Sequence, residues 1–285
     1  MGPIFFLPLF KLAARLPLAL LHRVGFVLGW LTYLLSASYA ARLRENLQRA
    51  GITHTPEGMH AIRRTSIGET GKSLAELPWV WQRPLQQVTA RVRDCHGWEH
   101  VEAAHTQGHG IIFLTPHLGC FEVAALYAAA RMPITVLYRP PRITWLEELM
   151  RKGRMRGQLQ LARTDLSGVR MMFKALKRGE AIGLLPDQVP GRGEGEWADF
   201  FGRPAYTMTL VGRLAKDGAA VLMAYAERLP RGEGYTIRIT PLRFNQGQSA
   251  AQQMNAALEE VVRACPAQYL WSYNRYKTPD GVAVP

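Results

Sequence analysis

Cysteine is scarce in this chain of 285 residues: only Cys95, Cys120 and Cys265 occur, far apart and never as C-x-x-C. An odd set of separated thiols argues against a disulfide framework and against a zinc site built on cysteine. It indicates a reducing compartment. A chain of this length buries about 75% of its unfolded surface, so it needs no cross-link to fold.

Clusters of metal-ligating residues are also lacking. His96, His100, His105 and His109 lie close in sequence, but no second group of ligand residues accompanies them. Because a metal site needs several such side chains in a fixed geometry, we predict no metal site.

Acidic side chains are missing from residues 1–41, where Lys11, Arg15 and Arg23 carry the only charges. Residues 24–41 are uncharged, and this stretch of 18 is at the lower limit for a helix that spans a bilayer. Prolines and two internal glycines interrupt the segment. We therefore predict helical pieces that lie in or dip into the membrane interface.

Three other interpretations of this N-terminal region stay open. The first is a single spanning helix, and the second is an ordinary pair of core helices. The third is a secretory signal, because Ser36-Ala37-Ser38 could serve as a cleavage site. The uncharged start and the long, charge-interrupted apolar stretch argue against a signal.

Basic residues outnumber acidic ones, with 35 Lys and Arg against 22 Asp and Glu, a net charge of +13. This excess predicts an anionic partner: nucleic acid, an anionic membrane, an acidic protein or a phosphorylated substrate. Residues 139–178 contain eleven basic and three acidic side chains, so the net charge of this stretch is +8. No nucleic-acid-binding motif occurs and aromatic residues do not interleave with the basic run. We therefore predict no nucleic-acid partner.

Strand-like and helical segments alternate from about residue 94 onward. This alternation predicts an α/β fold with a mixed, largely parallel central sheet flanked by helices and some antiparallel pairing near the end. We divide the chain into a membrane-associating segment, residues 1–45, and an α/β domain, residues 46–285. The predicted strands cover residues 111–115, 134–138, 181–185, 219–229 and 235–244. The predicted helices cover residues 119–132, 145–156, 167–178 (with Ser167 as N-cap), 206–216 and 250–264, and residues 191–196 are predicted as loop.

The most informative local motif runs from Thr115 to Glu122, where a predicted buried strand gives way to a helix. Functional sites in α/β sheets usually lie at such junctions. Pro116 favours a break before His117, so we expect His117 in a loop and Glu122 in an early helical turn that reaches back to the imidazole. Such a pair can deprotonate an alcohol. A structural histidine beside a solvated glutamate is the alternative.

The residues around this motif carry a resemblance that covers nearly the whole chain. The segment "GIIFLTPHLGCFE" is similar to the His-x-x-x-x-acid motif of membrane glycerolipid and lipid A acyltransferases. With the later segments, it resembles the late (secondary) acyltransferases of lipid A biosynthesis, the lauroyl/myristoyl transferase family. The E-G-T-R block typical of the glycerol-phosphate branch is absent, which favours the lipid A branch. The later segments are "LYRPPR" at 137–142, "GRMR" at 153–156, "LKRGEAIGLLPDQ" at 176–188, "FFGRPAYTMTLVGRLA" at 200–215 and "QYLWSYNRYKTP" at 268–279.

The resemblance implies roles for the motif residues and for the G-R-x-R block. His117 would be the general base on an acceptor hydroxyl, and Glu122 would orient it and stabilise its imidazolium form. Arg154, the first arginine of the block, would be an oxyanion donor or a phosphate contact. Arg156, the second, is a further candidate for substrate binding.

Two more residues follow from the resemblance, and a third offers a rival mechanism. Arg139 would bind a sugar phosphate bidentately, and Asp187 would organise the site, for instance by holding an arginine. The alternatives are a surface arginine and a structural aspartate. Cys120 suggests an acyl-enzyme route, but a free cysteine at a buried helix start is more often a packing residue.

The resemblance implies an acyltransferase at the cytoplasmic face of the bacterial inner membrane. It would move a fatty acyl chain from acyl carrier protein to a hydroxyl of a phosphorylated, acylated glucosamine lipid, without a metal or organic cofactor. Its partners would be acyl carrier protein, the phosphorylated glycolipid acceptor and an anionic membrane. The alternatives are a transferase for a lysophospholipid or an amino-acid lipid, and a non-catalytic basic protein that binds lipid or nucleic acid.

Overall fold

A seven-stranded sheet forms the centre of the computed structural model, which describes residues 3–141 and 143–284. Its strand order is β1-β9-β8-β2-β5-β3-β4. The strands are β1 (Val92–His96), β2 (Ile111–Leu114), β3 (Ile134–Tyr138), β4 (Leu159–Arg163), β5 (Ala181–Leu184), β8 (Ala220–Arg228) and β9 (Tyr235–Leu242), and a separate hairpin joins β6 (Gly195–Phe200) to β7 (Arg203–Met208).

Five neighbouring strands of the sheet run parallel: β8, β2, β5, β3 and β4. The strand β9 is antiparallel to β8, and β1 pairs with β9 in parallel. All four residues of β2 and of β5 are buried, as expected for central parallel strands that are covered on both faces. The predicted largely parallel α/β fold is confirmed.

Twelve helices accompany the sheet in the described part of the chain. They are α1 (Pro3–Ala13), α2 (Leu18–Leu35), α3 (Ala37–Arg49), α4 (Pro56–Ala75), α5 (Leu77–Gln82), α6 (Leu85–Thr89), α7 (Trp98–Thr106), α8 (Phe121–Ala129), α9 (Thr144–Arg154), α10 (Leu166–Lys177), α11 (Leu210–Leu214) and α12 (Ala250–Ala264). Two core clusters cover the sheet: Phe113, Ala124 and Leu149 belong to one, and Ile112 and Met172 to the other.

Several predicted elements need correction. The helix predicted over residues 206–216 is strand β7 followed by the short helix α11, because residues 203–208 pair with β6. The predicted loop 191–196 contains the start of β6, and β1 and β4 were not predicted. Asp165, rather than Ser167, caps α10, because its carboxylate accepts the Gly168 backbone N–H.

The N-terminal helix α2 is continuous, and its glycines do not break it as the sequence suggested. They allow close packing on α4 instead: a Cβ at Gly29 would lie 2.2 Å from the Ile67 carbonyl oxygen, and one at Gly71 would lie 1.9 Å from that of Gly25. The break falls before Leu18, where Pro17 precedes the helix.

The outward side of α2 is apolar. Leu34 and Leu35 are 70% and 84% exposed, and Val24, Val27 and Leu31 are also exposed. Among the described helices, α2 is the one long and apolar enough to cross a membrane. The fold therefore contains a candidate membrane-associating segment.

A buried ionic network joins α2 to the sheet. Glu76 accepts hydrogen bonds from Arg228 (Nη2 to Oε1, 2.6 Å) and from the Tyr235 hydroxyl (3.0 Å). The His22 ring on α2 lies 3.0 Å from the same carboxylate. Burial alone raises the pKa of Glu76, but the charge of Arg228 and the hydrogen bonds of His22 and Arg228 together outweigh burial and lower the pKa to about 2.

This network generates a stability prediction. Glu76→Gln leaves the buried Arg228 charge without its main counter-ion, so the free energy of unfolding should fall by about 3–5 kcal/mol. Urea denaturation of the purified protein in detergent measures it. Glu148→Gln, in an exposed pair with Lys152, is the matched control and should leave stability unchanged. Equal losses in both variants would contradict the importance of the network.

Candidate active site

Three candidate residues lie at the same edge of the sheet. His117 follows β2, Asp187 follows β5 and Arg139 follows β3, and these three strands are adjacent and parallel. The carboxyl ends of neighbouring parallel strands open into the crevice where α/β proteins bind ligands. The fold thereby brings together residues that are 70 positions apart in sequence.

The backbone around His117 is held on both sides. The His117 carbonyl accepts from the Leu270 N–H, and the Cys120 N–H donates to the Ala226 carbonyl. Gly119 has φ +61°, and a Cβ there would lie 2.0 Å from the Ala226 carbonyl oxygen. Glycine meets both demands, since it tolerates positive φ and has no side chain. His117 therefore lies in a rigid turn before α8.

Asp187 makes two hydrogen bonds with His117. Its Oδ2 accepts from the His117 backbone N–H at 2.9 Å, and its Oδ1 lies 3.0 Å from the ring Nδ1. Burial raises the pKa of Asp187, but the neighbouring His117 charge and both hydrogen bonds hold it below its usual value. An ionised carboxylate only accepts, so Nδ1 carries the proton and Nε2 carries the lone pair, with the Gln188 side-chain amide nitrogen 3.5 Å away.

The same pairing sets the titration of His117. Burial alone would lower the pKa of the imidazole, but the charge and hydrogen bond of Asp187 outweigh burial, so the pKa is raised above its usual value. His117 is thereby a stronger base than a free histidine. The geometry matches a histidine general base oriented by a carboxylate.

Glu122 does not take the position beside the imidazole that the motif spacing suggested. Its buried carboxylate accepts two 3.0 Å hydrogen bonds from Arg154 Nε and a further one from Nη2. The cause is topological, because α9 brings Arg154 to the first turn of α8 while Asp187 reaches His117 from the next strand. Asp187, expected to hold an arginine, holds the histidine instead.

Arg154 is fixed in orientation by this bidentate pair. Its guanidinium lies 5.9 Å from the centre of the Trp81 ring, and Gly153 packs on the same ring. The pair leaves Nη1 without a hydrogen bond among the described residues. Arg154 lines the same cavity as His117.

A cavity of about 1400 Å³ opens at this edge of the sheet. His117, Glu122, Arg139 and Arg154 line it. Its wall is largely apolar, and its other basic lining residues come from three different parts of the chain. The apolar residues include Phe113, Ala124, Val136, Met150, Leu161 and Ile237, and the additional basic residues are Arg192, Arg213 and Lys277.

Aromatic side chains enclose the imidazole. The Tyr273 ring stacks on it with centroids 6.3 Å apart, and Phe121 meets it edge-on at 5.1 Å. The Tyr273 hydroxyl accepts from the Val189 backbone N–H at 2.9 Å, which ties the C-terminal segment to the loop that holds Asp187. Sequence reasoning did not single out these residues, although Tyr273 belongs to the segment "QYLWSYNRYKTP".

The other two candidate arginines differ in position. Arg139 is exposed at the cavity rim, where a phosphate group could reach it. Arg156 turns away from the cavity and donates to the carbonyls of Gly153, Arg83 and Val80, each at 2.6 Å. These contacts fix the end of α9, and Arg156 does not line the cavity. Arg142 lies outside the described residues.

Cys120 is poorly suited to a nucleophilic role. Its thiol is buried, and burial raises its pKa well above the usual value, with a further contribution from Glu76. The thiolate is the reactive form of cysteine, and this environment suppresses it. Among residues 3–141 and 143–284, no group of three or more His, Cys, Asp and Glu side chains could hold a metal ion.

Comparison with known proteins gives a consistent result along the whole chain. Residues 4–278 match the sequence profile of the family described as bacterial lipid A biosynthesis acyltransferase. The lipid A biosynthesis lauroyltransferase of Escherichia coli K12 is 29% identical over 282 residues, which cover 95% of this chain and 90% of that protein.

Two further E. coli K12 proteins are similar. The lipid A biosynthesis palmitoleoyltransferase is 29% identical, over 82% of this chain and 78% of its own length. The lipid A biosynthesis myristoyltransferase is 25% identical, over 84% of this chain and 78% of its own length.

The Asp187–His117 pair generates a titration prediction. In the wild type the His117 ring should titrate above the usual value of about 6.5. In Asp187→Asn the opposing effect of burial remains, so the midpoint should fall below it. NMR of histidine-labelled protein, with the signal assigned by its loss in His117→Ala, measures both. Because a raised pKa stabilises the fold at low pH, the Asp187 contribution should be present below pH 6.5 and vanish as pH rises through the folded-state pKa. An unchanged midpoint in Asp187→Asn would contradict the pairing.

Proposed function

Because the chain belongs to the bacterial lipid A biosynthesis acyltransferase family, we propose that it transfers a fatty acyl chain from acyl carrier protein to a hydroxyl of a lipid A precursor. The acceptor hydroxyl lies on an acyl chain already attached to the phosphorylated glucosamine lipid, so the product is an acyloxyacyl group. The observation that carries the proposal is the histidine base, paired with a buried carboxylate, at the opening of a large apolar cavity.

His117 is the proposed general base. Nε2 accepts the proton of the acceptor hydroxyl while the hydroxyl oxygen attacks the thioester carbonyl carbon. Asp187, fixed on Nδ1–H, stabilises the imidazolium that results. When the tetrahedral intermediate collapses, the carbon–sulfur bond breaks and the imidazolium returns its proton to the departing thiolate.

Arg154 is the proposed donor to the oxyanion. A guanidinium that Glu122 already holds in place needs little reorganisation when negative charge develops on the carbonyl oxygen, and such fixed donors are effective in catalysis. Glu122 thereby acts through Arg154 and not directly on His117. In this assignment the motif glutamate supports the arginine that binds the oxyanion, and it does not orient the histidine base.

The cavity has an apolar wall and a basic rim, which suit different parts of the proposed substrates. Its apolar wall suits hydrocarbon chains, and burying each methylene contributes about 0.8 kcal/mol. Arg139 at the rim is suited to a phosphate on the glucosamine lipid, since arginine binds phosphate bidentately. Neither this binding nor the proposed chemistry requires a metal or an organic cofactor.

The membrane is the proposed location, with the protein at the cytoplasmic face of the bacterial inner membrane. The apolar outer side of α2 supports contact with lipid, and the cationic side chains Arg42 and Arg44 that follow it suit anionic headgroups. The acyl carrier protein donor and the lipid acceptor would then meet at the membrane surface.

The central test is transfer itself. Purified protein, a labelled acyl carrier protein thioester and a tetra-acylated lipid A precursor should give a mass gain of one acyl chain. His117→Ala should reduce the rate by about 10²- to 10⁴-fold, because the general base is lost. Mass spectrometry of the lipid measures both. Cys120→Ala is the matched control within the motif and should keep its activity.

Other outcomes of this assay decide between the alternatives. Acylation of a lysophospholipid but not of the lipid A precursor would replace the proposed acceptor. Full activity in His117→Ala would show that His117 is not the general base. An acyl group trapped on Cys120, with loss of activity in Cys120→Ala, would establish the acyl-enzyme route instead.

The membrane contact generates a separate prediction. Leu34→Glu/Leu35→Glu should reduce binding to phosphatidylglycerol-containing vesicles by at least about 10-fold, because burial of each leucine contributes roughly 1.5–3 kcal/mol. Both side chains are exposed, so the fold should persist. Vesicle co-sedimentation measures the effect, and Val284→Glu, at an exposed apolar residue near the C-terminus, is the control. Equal binding of all three proteins would exclude this side of α2 as the membrane contact.

A further inference from the structure

We propose that the exposed side of α10 is the surface on which the acyl carrier protein docks. The proposal rests on the proposed function, in which that carrier delivers the acyl group. The feature that carries it is a row of three basic side chains, Arg170, Lys174 and Lys177, which we name the basic stripe. The stripe begins beside the cavity that contains His117.

The stripe follows from the pattern of α10. Positions 170, 174 and 177 are spaced by four and three residues, so their side chains share one side of the helix. Met172 and Ala175 occupy the opposite side and are buried in the core. The twelve residues of α10 include no acidic side chain, so all charges on its outward side are positive.

Flanking basic residues are neutralised, whereas the stripe is not. Arg163 pairs with Glu147, and Arg178 pairs with Glu180. Among the described residues, none of the three stripe residues lies within 4.0 Å of a carboxylate oxygen. The stripe is therefore a cationic surface whose charges are available to an external partner.

The N-terminal turn of α10 belongs to the cavity wall. Leu166 and Val169 line the cavity, and Leu166 is also 77% exposed. Arg170 follows Leu166 by four residues, so the stripe starts about one helical turn from the cavity wall. A carrier bound along the stripe can therefore direct its thioester arm past Leu166 toward His117.

An acidic protein fits this surface better than a bilayer does. Beside the stripe, only Leu166 and Met171 of α10 are exposed large apolar side chains. Spaced charges with isolated apolar contacts suit an acidic helix, whereas a bilayer contact needs a broad apolar face.

Charge reversal of the stripe tests the proposal. The variant Arg170→Glu/Lys174→Glu/Lys177→Glu should bind acyl carrier protein about 10- to 10³-fold more weakly at low salt, as loss of electrostatic steering predicts. Surface plasmon resonance on the full-length protein in detergent measures this. Its kcat/KM with the acyl carrier protein thioester should fall similarly, while its rate with a short acyl-pantetheine thioester should stay within about twofold, since the catalytic residues are untouched.

The control reverses three exposed basic residues elsewhere: Arg64 on α4, Lys216 before β8 and Arg243 after β9. Arg243 follows β9 at the edge of the sheet opposite to the cavity, and neither Arg64 nor Lys216 lines the cavity. This variant, with the same change of net charge, should therefore bind acyl carrier protein like the wild type. Equal weakening in both variants would attribute the effect to net charge alone and overturn the proposal.

Two further results would overturn it. Unchanged carrier binding in the stripe variant, combined with loss of binding to phosphatidylglycerol vesicles, would identify α10 as a membrane contact. A wild type that transfers from acyl-coenzyme A but neither binds nor uses acyl carrier protein would refute the donor in the proposed function, and the docking surface with it.

Discussion

The parallel pairing of β2 with β5 is the constraint on which the candidate site depends. It places the ends of two strands, and hence His117 and Asp187, side by side at one edge of the sheet. The adjacent pairing of β5 with β3 adds Arg139 at the same edge. A one-residue shift in the register would move Asp187 away from the imidazole and turn the fully buried residues of β5 to the other face. The chemistry therefore depends directly on the order and register of the sheet.

Three buried carboxylates support this edge in different ways. Asp187 sets the tautomer and basicity of His117, and Glu122 sets the orientation of Arg154, so a buried carboxylate holds each of these two side chains of the cavity. The Glu76–Arg228 network has no access to the cavity, but Arg228 Nη2 also donates to the Gly119 carbonyl at 2.7 Å. The turn that carries His117 is thereby fixed by the same arginine that joins the sheet to the N-terminal helices.

Helices and strands that follow from a local sequence pattern were predicted correctly, whereas elements and contacts that depend on strand pairing were missed. The strand over 134–138 and the helix over 250–264 have the predicted bounds, because continuous apolar runs and helical periodicity are local signals. Part of strand β7 was predicted as helix, because its strand conformation depends on hydrogen bonds to β6 that its own sequence does not reveal. The partner of His117 was assigned to Glu122 by proximity in sequence. Asp187 is 70 residues away, and only the sheet order brings it near.

The position of His22 within the buried network has a consequence for how the protein can move. A helix attached by a flexible linker would let the catalytic body diffuse at variable distance from its attachment point. Here α2 packs on α4 through glycines and contributes His22 to the carboxylate of Glu76, so helix and body form one unit. Once α2 rests in a lipid surface, the height and tilt of the cavity mouth above that surface are set by the fold. In the proposed reaction, such a molecule would reach only the acceptor groups that the bilayer presents at one depth.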